Sequence, residues 1–416
     1  MKQTLHSATL DNGIVILGEH LPDLESVAVS FHAAVGAVHD PPGRCGLATL
    51  VGEMCLRGAG DRTSRGIVED FESAGVQWSQ GVSATHTSFS GAMVARHLPD
   101  VLPIYADLLR RPTLPADEFP AARQMVLQNL AALEDDPAHL VMAELRKIHC
   151  PAPWGMPTEG LSADVEAAGI DDVRQFVADR LQPRGMIVAV AGRIDWPDFV
   201  RRVDALLGDW PPGTAADVAG GPRGPRASHV VHDAQQTHVA VAWSAPPYRD
   251  EASREATAAL AILGGGPSSR LFTEVRERRG LCYGVSASYQ TSRDFGTAVC
   301  YSGTSADRAQ QTLDVILAEI DRLPGTITAD EIDRVKARVK SGLVMQQESS
   351  AARAGAIARQ WYHLGRMRTL AEDLERFDRL TVASVESWLA TTLPPGDLSV
   401  VSLGREPLEV PRAIPA

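Results

Sequence analysis

Apolar residues alternate with small or polar ones in two stretches, SVAVSFHAA at 26–34 and THVAVAWSA at 237–245. A period of two marks a half-buried strand of the kind antiparallel sheets carry. Each is followed by an apolar helical stretch with a glycine-containing end, at 46–58 and 255–266. Shorter predicted helices come next, 67–74 before Gly75 and 271–279 before Gly280. Glycine just past a helix takes up the left-handed conformation that stops it. Similar predicted strands follow, GVSATHTSF at 81–89 and GVSASYQTS at 284–292. Amphipathic helices are expected at 101–109 and 309–323, where apolar residues recur every three or four positions. Asp100 reads as the N-cap of the first, with Pro103 in its opening turn. A third pair, at 118–134 and 329–347, opens on the acidic lead-ins PADE and TADE.

The order of elements is the same twice. The chain therefore reads as a tandem duplication of one unit of about 200 residues, an ordinary domain size. Between the copies, 210–228 is rich in Pro, Gly and Ala and has no apolar period, as a linker should. The expected organisation is an N-terminal domain at 1–212, a linker at 213–228 and a C-terminal domain at 229–416. Strands and helices come in groups, so the predicted class is α+β, an antiparallel sheet covered on one face by helices in each copy. A βαβ nucleotide fold does not fit this order.

Composition narrows the function classes. The chain has 416 residues, is 44% hydrophobic, and carries 40 Lys and Arg against 52 Asp and Glu, a formal charge of −12. It can bury a sizeable core, which excludes disorder as the main state. An acidic balance argues against a nucleic-acid partner, which needs a concentrated basic face. The opening MKQTLHSATLDNGIVIL lacks a signal-peptide core, and apolar runs such as 186–191 are too short to span a bilayer. A cytoplasmic chain with no membrane partner is expected. The five cysteines, at 45, 55, 150, 282 and 300, are scattered and form no C-x-x-C, so neither a disulfide framework nor a thiolate metal site is expected. His229 and His232, three apart in a predicted strand, point to opposite faces and read as a solvated pair. His86, His97 and His139 are isolated in the sequence.

Five segments in order resemble a known family. They are GRCGLATLVGEMCLRG at 43–58, LEDDP at 133–137, PWGMPTEG at 153–160, LQPRGMIVAVAG at 181–192 and LGGGPSSRLFTEVRERRGLCYGV at 263–285. Together they resemble the pitrilysin family of inverted-motif zinc peptidases, in particular bacterial two-domain members similar to mitochondrial processing peptidase. The resemblance covers nearly the whole chain and implies the LuxS/processing-peptidase-like metalloenzyme fold. Active members bind zinc through H-x-x-E-H on a helix, whose two His share one helical face while the Glu serves as general base. A further Glu on a later helix completes their site. Here the first His position is Thr49, the Glu position Gly52, the second His position Glu53, and the later Glu falls near Asn129. One carboxylate and a threonine lack the three ligands of a catalytic zinc. No metal and no catalytic residue is therefore expected in this chain alone.

The family's other element is present. Active members use an Arg and a Tyr seven residues apart to hold the peptide backbone, and here these match Arg276 and Tyr283. Both are hydrogen-bond donors suited to substrate carbonyls. The glycine run 264–266 lacks the Lys-Ser/Thr of a phosphate loop. It reads as a helix-to-loop break, and in the resembling noncatalytic subunit a longer run helps to engage substrate. The resemblance also implies strand addition of substrate at a sheet edge, for which 26–34 and 237–245 are candidates.

These features lead to the expectation of a noncatalytic, substrate-binding subunit of a heterodimeric zinc metalloendopeptidase. Its partner would be a homologous H-x-x-E-H-bearing chain that holds the zinc, around a shared clamshell chamber closed on a peptide substrate. The alternative is a zinc-free structural or peptide-binding homologue with no proteolytic role. An active homodimer with unusual ligands fits least, because Gly52 has no side chain to act as base.

Overall fold

A computed structural model describes residues 3–214, 218–393 and 395–410. In chain order the strands are β1 (Thr4–Thr9), β2 (Val15–His20), β3 (Ser26–Ala33), β4 (Gly58–Ala59), β5 (Arg62–Thr63), β6 (Gln77–Val82), β7 (Thr87–Val94), β8 (Ile187–Gly192), β9 (Ala227–Val231), β10 (Gln236–Ala245), β11 (Cys282–Thr291), β12 (Gly296–Ser305) and β13 (Ser399–Gly404). They build a six-stranded sheet, β1-β2-β8-β3-β7-β6, and a five-stranded sheet, β11-β12-β10-β13-β9; β4 and β5 form a small ribbon. All pairs are antiparallel except β2 with β8 and β9 with β13. The class is α+β, open sheets flanked by helices.

The alternating stretches became the middles of these sheets. β3 pairs with both β7 and β8, and β10 with both β12 and β13. The expectation that 26–34 and 237–245 form sheet edges is therefore overturned. Alternation reported a polar or small-residue face, yet that face is covered too. The free edges are β1 and β6 in one sheet, β11 and β9 in the other. The stretch 81–89 is likewise no single strand: it holds the end of β6, a turn, and the start of β7. Asp100 lies in the first turn of the helix Leu98–Arg110 rather than at its cap, and Pro103 sits inside that helix.

The chain divides into two compact units, which cut across the halves of the sequence. The first comprises Met1–Ala132, Met156–Gly220 and Met345–Thr369; the second comprises Leu133–Gly155, Gly221–Val344 and Leu370–Ala416. In the first, Val27, Val29 and Phe31 of β3 meet Leu50, Met54, Val101 and Leu108 in the main core. The sheet's other face receives the helix Ser350–Leu364, whose Ala354, Ile357 and Ala358 lie against Ala28, Leu17, Ala189 and Ala191. In the second unit, Val239, Val241 and Trp243 of β10 meet Leu260, Leu263, Leu313 and Ile316. Its other face receives the helix Pro137–His149, whose Val141, Leu145 and Ile148 cover Ala240, Ala242, Val401 and Leu403. Each unit thus carries one helix drawn from the opposite half of the sequence.

Of the expected linker at 213–228, residues 215–217 lie outside the described residues. The stretch from Gly221 to Arg226 is not a loose tether. Ala152 N donates to Pro222 O at 3.3 Å, Gly221 N donates to Ala152 O at 2.6 Å, and Gly224 N donates to Ile148 O at 2.9 Å. Arg223 pairs with Asp397 at 2.6 Å. Among the described residues no helix is long and apolar enough to cross a membrane.

Candidate functional site

The helix Leu47–Cys55 carries Thr49, Gly52 and Glu53, the positions that the resemblance aligns with the zinc motif. Leu47, Ala48, Leu50, Val51, Met54 and Cys55 are buried and hold it to the first sheet. Its N-terminal amides are met by Asp40, whose carboxylate accepts from Gly46 N at 2.7 Å and from Ala48 N at 2.8 Å. Burial pushes the Asp40 carboxyl up to about 6 against the pull of these amides. Gly46 has φ +105°, and a Cβ there would come within 2.9 Å of Gly160 Cα, so only glycine fits.

The side chains at these positions do not present the donor set of a catalytic zinc. Thr49 Oγ1 donates to Thr158 O at 2.8 Å, so its hydroxyl is engaged by the 153–160 segment. Gly52 is covered by a neighbour: a Cβ there would lie 2.0 Å from Nε2 of Gln80 on β6. Glu53 is half-buried, and burial raises its carboxyl pKa against the opposing effect of Arg57. Asn129 is exposed on the helix Phe119–Glu134. A hydroxyl committed elsewhere, a glycine, one carboxylate and an exposed amide do not fit a catalytic zinc. Among the described residues no three His, Cys, Asp or Glu side chains group as metal ligands. Gln80 is the residue that sequence reasoning missed. Nothing in QWSQGV signals that its amide fills the space over Gly52.

Arg276 and Tyr283 do come together. Phe272–Glu277 forms a π-helical turn, a winding that recurs at functional sites. The Arg276 guanidinium lies 4.7 Å from the Phe272 ring centroid and 5.1 Å from that of Tyr283. No carboxylate pairs with it among the described residues. Tyr283 is 82% exposed, at the register shift between Cys282 and Gly284 on β11. Gly280, at φ +60°, closes the turn as its position in the sequence predicts. A cation between two rings keeps its N–H edge open while the rings hold its plane.

The remaining histidines are placed structurally. His229 Nδ1 shares a hydrogen bond with Ser402 Oγ at 2.9 Å, and both His229 and His232 are half-buried rather than solvated. His86 is not isolated in space: it meets Tyr362 edge-on at 4.6 Å and His32 at 6.1 Å. The glycine run follows the helix Ser253–Gly264, and Arg338 donates to the Gly265 carbonyl.

This fold and these sequence blocks define a class of protein. Residues 15–155 match the model for insulinase, peptidase family M16, and residues 168–339 that for the peptidase M16 inactive domain. The chain belongs to the M16 peptidase family. It is 26% identical over 387 residues to an uncharacterized zinc protease of Rickettsia bellii, covering 92% of this chain and 94% of that protein. It is 28% identical over 395 residues to an uncharacterized zinc protease of Mycobacterium bovis, covering 91% and 88%. Its fold is similar to that of the crystal structure of a peptidase M16 inactive domain from Pseudomonas fluorescens, with a TM-score of 0.89, 20% identity and coverage of 98% and 99%.

Proposed function

We propose that this chain is a noncatalytic, substrate-binding subunit of a heterodimeric zinc metalloendopeptidase. One observation carries the reading: Arg276 has no carboxylate partner among the described residues and lies over the rings of Phe272 and Tyr283, in a chain whose helix Leu47–Cys55 bears Thr49, Gly52 and Glu53. An uncommitted guanidinium beside an exposed phenol suits a peptide backbone. Both groups donate to carbonyl oxygens, and they strengthen those bonds as negative charge develops on the scissile carbonyl. The free edge of β6 offers extended peptide a row of backbone partners. The attacking water would be activated on zinc held by a homologous H-x-x-E-H chain; the residues here bind, orient and stabilise.

The test is a mixed assay with an H-x-x-E-H homologue from the same genome. Neither chain alone should cleave a quenched fluorogenic peptide, and the co-purified mixture should. Arg276→Ala or Tyr283→Phe in this chain should lower turnover of the mixture about 10²-fold while gel filtration shows the assembly intact. Silent substitutions at both positions would remove the assigned role. One zinc per purified chain, lost with activity in Glu53→Ala, would overturn the noncatalytic reading. Stable self-association with no gain of activity on mixing would favour the structural alternative.

A further inference from the structure

The run that contains Arg276 sets a sorting problem. Arg276, Arg278 and Arg279 stand within four residues of one another. The buried carboxylate among them is Glu274, 6% exposed. Glu274 takes Arg278 at 2.5 Å through Oε1 and Arg279 at 2.5 Å through Oε2, and its carbonyl accepts a further bond from Arg279 at 2.8 Å. The bond from Arg279, with the charge of Arg278 beside it, holds the Glu274 carboxyl below its usual range. Glu319, 2% exposed on the helix Ala309–Asp321, is served separately by Arg322 at 3.3 Å. Among the described residues, Arg276 alone in the run has no anionic partner.

The winding of the turn produces this division. Arg278 N donates to Thr273 O, five residues back, at 2.9 Å. An i→i+5 winding turns about 80° per residue, against about 100° in an α-helix. From Glu274, the π steps as far as Glu277 and the turn that follows bring Arg278 and Arg279 back to the Glu274 side, where each reaches one carboxylate oxygen. In α winding Arg279 would stand about 140° away and out of reach. Two π steps place Arg276 about 160° from Glu274, on the opposite side of the turn.

We infer that Glu274 is a positioning residue. By clamping Arg278 and Arg279 to its own side of the turn it holds the π winding, and so leaves Arg276 as the uncommitted guanidinium stacked on Tyr283. This deepens the substrate-binding reading above and rests on it for its functional consequence. The test uses the full chain labelled with 15N-arginine. The Nε–Hε cross-peak of Arg276, identified by its loss in Arg276→Lys, should be displaced by the ring currents of Phe272 and Tyr283. In Glu274→Gln, and separately in Arg279→Ala, it should collapse onto the position of exposed arginines. Affinity for a fluorescein-labelled unfolded peptide should fall about tenfold in both, as in Arg276→Ala. An Arg276 cross-peak unmoved in folded Glu274→Gln overturns the proposal. If Glu274→Gln does not fold, Arg279→Ala, at a partly exposed side chain, decides in the same way. A cross-peak that moves as expected, with peptide affinity unaffected by Arg276→Ala, supports Glu274 as the positioning residue and rejects the substrate-binding reading instead.

Discussion

Gly52 shows how one missing side chain is compensated. A glycine inside a helix costs about 0.5–1 kcal/mol relative to alanine. Here the vacated volume is taken by the Gln80 amide, whose Nε2 would lie 2.0 Å from an added Cβ. That amide ends a flexible side chain, so it can move aside. Gly52→Ala alone should change stability by less than about 0.5 kcal/mol, because the helical gain is offset by displacing Gln80. Combined with Gln80→Ala, the same substitution should gain about 1 kcal/mol relative to Gln80→Ala alone. Urea unfolding of the four proteins checks this. Equal effects of Gly52→Ala in both backgrounds would show that Gln80 does not occupy the space.

At the scale of elements, the two exchanged helices are held by different chemistry. Pro137–His149 lies on its sheet through aliphatic contacts and two hydrogen bonds, His149 with Ser399 and Ser228 Oγ to Glu144, with no ion pair to the sheet among the described residues. Ser350–Leu364 adds a buried ion pair, Arg353 to Glu19 of β2 at 2.7 Å, with Glu19 wholly buried and Arg353 4% exposed. Gln3 Nε2 donates to the other Glu19 oxygen at 2.8 Å. Removing one partner leaves a buried charge uncompensated, whereas replacing both with apolar groups removes the desolvation penalty as well. Arg353→Met should therefore cost about 3–5 kcal/mol, and Arg353→Met with Glu19→Leu clearly less. A double-mutant cycle in urea measures it, and additive losses would refute the account. Neither the pair nor the π turn was legible in the sequence. Glu19 and Arg353 are 334 residues apart, and local pattern carries no information about such a partner. The glycine stop at 280 was legible because it depends on one residue's own φ; the i→i+5 winding before it was not, because it depends on a buried carboxylate and its two arginines.

For the whole molecule, acid is the condition that stresses both units. His149, 1% exposed and hydrogen-bonded to Ser399, is held near pKa 4, by burial first and then by Arg223. His32, bonded to Ser30, is lowered to about 4 by burial. Both are lower than in the unfolded chain, where His titrates near 6.5. The folded state therefore binds fewer protons, and the stability that neutral His contributes is complete above pH 6.5 and lost as pH falls from there toward 4. His149 alone should account for about 3 kcal/mol between pH 7 and pH 4. Unfolding midpoints measured across that range should fall steeply in the wild type and less so in His149→Gln. A parallel slope in the variant would exclude His149 as the source.

The repeat of elements, the α+β class and the glycine stop at 280 were all determined by the sequence. Each follows from local periodicity or from the identity of single residues, which the chain states directly. Which strands lie at the edges, which helix covers which sheet, and which of three neighbouring arginines stays uncommitted were decided by the tertiary structure alone. Those outcomes depend on pairing between distant segments and on burial, which removes the solvent alternative for a strand face or a charge. The pattern of a strand shows which faces can be buried; only the partners that reach it fix whether both are.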